Sequence, residues 1–136
     1  MAEVDQSTTD AAWIRQAVYD MYDAYMESDR ERANSYIADD VTLWDTEHEP
    51  LVYGLSGLND LRDSRPAGSV ASVAGVDVTT DPVVDVWGDI ALARHTFTVR
   101  FVDPEARPER VRNTGVWQRR DGRWLMVHNH EDVLPE

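Results

Sequence analysis

A chain of 136 residues with 42% apolar residues, five Trp and five Tyr is the size of one domain and can bury roughly two-thirds of its unfolded surface. Cysteine is absent and all 13 basic residues are arginine, which excludes disulfides, thiolate nucleophiles, zinc–cysteine sites and lysine Schiff bases. The formal net charge of −13 speaks against nucleic acid and anionic membranes as partners, because phosphate contacts rest on clustered positive charge.

The start, MAEVDQSTTD, is acidic and polar without a signal-peptide pattern, and no apolar run approaches the ~20 residues of a membrane helix. A soluble, cytoplasmic protein is expected. Residues 1–9 read as a disordered lead and 10–136 as a single domain, with Ser7, Thr8, Thr9 and Asp10 suited to capping a helix. Trp13, Ile14, Ala17, Val18, Met21, Tyr22 and Tyr25 recur at three- and four-residue spacing, which predicts an amphipathic helix to about Ser28. A shorter helix is expected over 29–38, burying Ala33, Tyr36 and Ile37.

Asp39-Asp40 breaks that pattern, and Val41 to Asp45 has the β-branched and aromatic content of a strand. Leu51 to Tyr53 follows, then Gly54 and a third short helix on Leu55, Leu58 and Leu61, stopped at Arg65-Pro66. Strand signals fill the rest: 69–80, 83–87, 90–102, 110–120 and 123–133, punctuated by Asp81-Pro82, Gly88-Asp89, Asp103-Pro104 and Asp121-Gly122. Asp-Gly between alternating runs is a strong hairpin signal, so 114–130 closes the sheet. Strict alternation puts Trp124, Met126, His128 and His130 on one side of the last strand, and Leu125, Val127, Asn129 and Glu131 on the other. Helices first and a meander afterwards give an α+β fold: a curved antiparallel sheet packed against three N-terminal helices and enclosing a pocket.

That order resembles the nuclear transport factor 2-like superfamily, a cone-shaped fold, over about residues 11–135. The run Thr114-x-Val-Trp-x-Arg-Arg-Asp-Gly-x-Trp-x-x-Val-His-x-His is similar to the closing hairpin of the kinase association domain and of SnoaL-like proteins. Leu51-Val-x-Gly54 fits as well. The superfamily holds ketosteroid isomerases, cyclases, dehydratases and epoxide hydrolases beside noncatalytic binding and assembly domains.

The resemblance to the isomerases implies that Asp45 is a general base, and that to the association domain implies that Arg94 lines the pocket. Two further pocket positions fall on Gly115 and Glu131, where the association domain has arginine. The isomerases carry a protonated aspartate at the Gly115 position, and their oxyanion tyrosine falls on Met21, with Tyr22 and Tyr25 close by.

Asp45 beside Trp44 could be a carboxyl raised toward general-base values, or a strand-end aspartate capping the 46–50 turn. Arg94 alternates with Thr96, Thr98 and Arg100, and His95, Phe97, Val99 and Phe101 take the opposite face. Periodicity alone turns the aromatic face inward; the resemblance implies the arginine face. An inward Arg94 would hold an oxyanion together with Tyr22 or Tyr25. His128 and His130, with His95, could share a metal, but a packing or interface role is the expectation and no metal or cofactor is assigned. Trp117 is placed at the pocket wall, where Gly115 would leave room for a ring-shaped ligand.

Two functions follow. The first is a small-molecule acid/base enzyme without cofactor, an isomerase, cyclase or dehydratase acting on an apolar carbonyl or polyketide-like compound. Its catalytic groups would be Asp45, Arg94 and Tyr22, with Tyr25, Trp44, Trp117, Asn129 and Glu131 binding the ligand. The alternative is a noncatalytic ligand-binding or oligomerisation domain that holds a carboxylate. Under either, a homodimer is expected through an outer sheet face of Phe97, Val99, Phe101, Trp124 and His128.

Overall fold

The computed structural model describes residues 6–66 and 72–135. Three helices, α1 (Gln6–Met26), α2 (Arg30–Asn34) and α3 (Gly54–Ser64), pack on a six-stranded sheet. The strands are β1 (Ile37–Trp44), β2 (Val52–Tyr53), β3 (Val73–Trp87), β4 (Ile90–Phe101), β5 (Glu109–Arg120) and β6 (Arg123–Val133), in the order β2-β1-β6-β5-β4-β3. The α+β arrangement is the one expected. No helix of the described residues is long and apolar enough to cross a membrane.

Several boundaries move. The first helix already includes Gln6 to Thr9, and the expected lead and strand start lie otherwise outside the described residues at 1–5 and 69–71. The second helix is five residues long because Ile37 and Ala38 enter β1, where both are buried. Asp81-Pro82 does not divide β3, since the strand absorbs the break as register shifts between Val78 and Val83. Extra residues in one strand of a pair bend it without ending it.

The closing hairpin forms as expected. Asp121 and Gly122 have φ of 51° and 77°, and two consecutive positive φ values are the tight turn that matches strand twist. The sheet is not wholly antiparallel: β1 pairs with β6 in parallel, its residues Thr42, Leu43 and Trp44 opposite His128, Asn129 and His130.

On α1, Ile14, Ala17 and Val18 are buried at helical spacing against Val41 and Leu43 of β1, Ala91 and Ala93 of β4, and Trp117, Trp124 and Met126 of the closing hairpin. Arg119 fastens the start of α1 to that hairpin. Its guanidinium donates to buried Asp10 at 2.9 Å and lies 5.1 Å from the centre of the Trp124 ring, a cation–π contact.

Candidate active site

Register decides which side chains meet. Across β4, β5 and β6, His95 lies opposite Asn113 and Asn113 opposite Glu131, and two rows earlier Ala93, Gly115, Asn129 and Leu43 are aligned. Both rows face the helices. Between them and α1, α2 and α3 lies a cavity of about 1150 Å³, large for a small-molecule site. Phe97, Val99, Phe101 and Leu58 give it an apolar wall, with His95, Asn113, Asn129, Glu131, Asp45 and Tyr22 among its polar groups.

The row between those two faces away: Arg94 opposite Thr114, Thr114 opposite His130, and His130 opposite Trp44. Arg94 therefore does not line the cavity. Its guanidinium is ion-paired with Asp85 of β3 on the outer face, so the expected oxyanion role is corrected, and the alternation of β4 is right where the resemblance is not. Phe97, Val99, Phe101 and Trp124 point inward with His95, which removes four of the five residues expected on an outer dimer face. His95 is 5% exposed on the inner face, whereas His128 bonds Thr42 at 2.8 Å on the outer one; the three histidines cannot share a metal. No group of three potential metal ligands forms among the described residues.

Strict alternation fails in β6. Trp117 pairs with Met126 and Val116 with His128, leaving Val127 as the extra residue of a β-bulge. The bulge resets the side-chain direction, so Trp124 and Met126 share the inner face with Asn129 and Glu131, and not with the histidines.

Glu131 is the most perturbed acid of the site. It is half-buried on the cavity wall, and burial, reinforced by the charge of Asp45, pushes its carboxyl up to about 7, against opposing pulls from Asn129 and Arg65. Asn129 Nδ2 donates to its Oε1 at 3.4 Å. The Asn113 amide, oriented with its nitrogen toward the carboxylate, donates to the same oxygen at 3.1 Å and accepts from the Thr114 amide at 3.3 Å.

Asp45 lines the cavity with its side chain 12% exposed. It accepts from Arg65 Nη2 at 2.8 Å and from the Glu47 backbone N–H at 3.0 Å. It is thus both a cavity group and the cap of its own turn. Tyr22 and His95 form the opposing pair, with the phenol oxygen 2.6 Å from Nε2. Burial holds the imidazole down to about 4, and burial with the nearby Glu131 charge holds the phenol well above its ordinary range. Both are neutral at physiological pH, and His95 Nδ1 is buried without a hydrogen-bond partner.

Tyr25 lines the mouth, 36% exposed. Trp44 borders the cavity but belongs by register to the outward row and is 41% exposed. Trp117 does reach the wall, yet it is 1% exposed and its Nε1 would stand 3.3 Å from a Cβ on Gly115. The space left by that glycine is taken by the indole, not kept for a ligand. Sequence reasoning passed over Asn113, Arg62 and Arg65 as site residues; Asn113 was findable, being two residues before Gly115 on the same face, while Arg65 was read only as the stop of the third helix and nothing in the local pattern marked Arg62.

The chain matches the SnoaL-like domain family over residues 14–134 and belongs to that family. Solved structures agree on the fold. An NTF2-like protein of unknown function from Pseudomonas putida KT2440 superposes with a TM-score of 0.80 at 21% identity, covering 96% of this chain and 90% of that one. The CaMKII hub of S. rosetta gives 0.79 at 22% identity, covering 91% and 96%. A protein of the NTF2-like family from Streptomyces avermitilis, provisionally called a dehydratase, gives 0.72 at 21%, covering 95% and 99%. No curated protein matches the sequence significantly. The fold therefore houses both enzyme-type and noncatalytic hub-type proteins.

Proposed function

We propose that the protein is a cofactor-free acid/base enzyme acting on a small apolar carbonyl compound, by isomerisation, cyclisation or dehydration. The observation that carries this reading is a pair of carboxyl groups on one wall of an apolar cavity, facing a neutral Tyr22–His95 pair. A carboxyl raised toward neutrality beside a second, ion-paired one divides the roles of base and charged neighbour. Glu131, near 7, takes the proton next to the substrate carbonyl; Asp45, held by Arg65, supplies the charge that helps raise it. The expectation that Asp45 is the base thus passes to its partner. With His95 donating from Nε2 to the Tyr22 oxygen, the phenol hydrogen is free to face the enolate oxygen, and a phenol that resists ionisation remains a donor throughout.

The test is wash-in of solvent deuterium next to the carbonyl of an apolar ketone such as 2-tetralone, followed by NMR. Glu131→Gln should slow exchange by about 10²–10⁴-fold, and the wild-type rate should rise with pH through about 7, where Glu131 ionises. Asp45→Asn should move that inflection downward. Exchange at the wild-type rate in Glu131→Gln rejects the assignment.

For assembly we propose a homodimer through the outward rows, where Trp44 and Tyr53 are 41% and 71% exposed beside half-buried Leu92, Val116 and Leu125. Exposed aromatics above a polar rim are the composition of an interface core. Light scattering reads this directly: a monomer at working concentration would remove the proposal.

A further inference from the structure

Arg62 lies on α3 at the cavity wall, half-buried. Its Nη1 donates to Asn34 Oδ1 at 2.6 Å and to Asn59 Oδ1 at 3.2 Å, both neutral amides, and Asn34 in turn donates to Asn59 at 3.3 Å. This cradle aims the guanidinium without neutralising it. Its neighbours at the rim differ: Arg30 holds Asp63 at 2.8 Å and Arg65 holds Asp45 at 2.8 Å. In a chain with 26 acids and 13 arginines, no carboxylate of the described residues bonds Arg62. A partly buried cation without a counterion is costly. Burial, then the like charges of Arg30 and Arg65, act against its protonated form, with Asp63 opposing them.

We infer that Arg62 is the anchor for a carboxylate carried by the cavity's ligand, so that the substrate class is an apolar carbonyl compound with an acid group remote from the reacting carbon. A planar fork of donors matches a carboxylate. A monoanion fits better than a dianion such as a phosphate ester, because Asp29, Asp45, Asp63 and Glu131 line the same cavity and would repel the second charge. The apolar body of the ligand would lie on Leu58, Phe97 and Val99. This inference rests on the function proposed above only for the word substrate; the anchor itself does not require proton transfer.

The probes are 4-phenylbutyrate and its neutral amide, titrated calorimetrically into the full chain. The carboxylate should bind about tenfold or more tighter than the amide, the usual gain from a charge-assisted hydrogen bond. Arg62→Gln should abolish the preference, and Arg62→Lys, which keeps the charge but not the fork, should reduce it. Glu131→Gln, which removes one of the cavity's negative charges, should keep or sharpen the preference, separating failure of the anchor from failure of the acid/base reading. Arg110→Gln, at an exposed arginine whose guanidinium bonds the Pro135 carbonyl away from the cavity, should also keep it. Equal binding of the two probes, no binding of either, a preference undiminished in the Arg62 variants, or one lost in Arg110→Gln would each overturn the inference. Thermal melts accompany each variant, and the lysine form carries the test if the glutamine form does not fold.

Discussion

Glu131 and His95 occupy one row of the sheet and are driven in opposite directions by the same enclosure. The carboxyl rises from its ordinary 4.5 to about 7, and the imidazole falls from 6.5 to about 4. Between pH 4.5 and 7 the folded state holds a proton on Glu131 that the unfolded chain has released, so stability from this group falls as pH rises, by an amount on the order of 3 kcal/mol. Between pH 6.5 and 4 the unfolded chain protonates His95 while the folded state refuses, so stability from that group falls as pH drops. The two slopes oppose each other from about 4.5 to 6.5, and the wild-type profile should be flat there with respect to this pair. Glu131→Gln should be more stable than wild type at pH 8, with the advantage vanishing below 4.5. His95→Gln should lose the acid-side decline. Urea melts across pH check both, and parallel profiles for all three proteins would contradict the assignment. At this scale the sequence was half legible. Asp45, Tyr22 and Glu131 were picked out as site residues, but Glu131 as a contact rather than the proton carrier proposed above, because its shift comes from burial and from neighbours that only folding brings close. Arg94 was misplaced because a family position was preferred over the plain alternation of its own strand.

A single inserted residue in β6 determines which chemistry the cavity receives. With Val127 present but not bulged, simple alternation would carry Asn129 and Glu131 to the outer face and bring His128 and His130 inward. Deleting Val127 should instead turn the bulge into plain alternation and keep Asn129 and Glu131 inward, so that the Glu131 carboxyl stays near 7, read by carbon-detected NMR titration, whereas an extra residue inserted between His128 and Asn129 should turn it outward and return it to the ordinary range near 4.5. Such a bulge was not visible beforehand, since Val127 between Met126 and His128 looks like any apolar member of a strand. The hairpin next to it was visible, because its turn needs a special backbone. Gly122 has φ of 77° with open space around its Cβ position, so Gly122→Val should cost about 1–2 kcal/mol from backbone strain alone, measurable by urea melts without change in the cavity.

The architecture of the whole molecule was legible because helix and strand periods differ and turn residues punctuate the chain. What was not legible is that the first long strand joins the last in parallel, a pairing that no local pattern announces. That join places Trp117, Trp124 and Met126 over α1 at the centre of the core. Trp117→Ala should cost about 3–5 kcal/mol and weaken the wall behind Glu131, so both melting temperature and probe affinity should fall together. The strand order has an outcome in time as well. A nascent chain that has produced everything up to β5 possesses a three-stranded meander and a separate β1–β2 pair with no strand to bridge them. Only β6 can join the two pieces, closing a loop of some eighty intervening residues at a high entropic cost, so assembly should be slow at that step. The strand that makes this junction is also the one that delivers Glu131, so the proposed base comes into being at the moment the fold is completed.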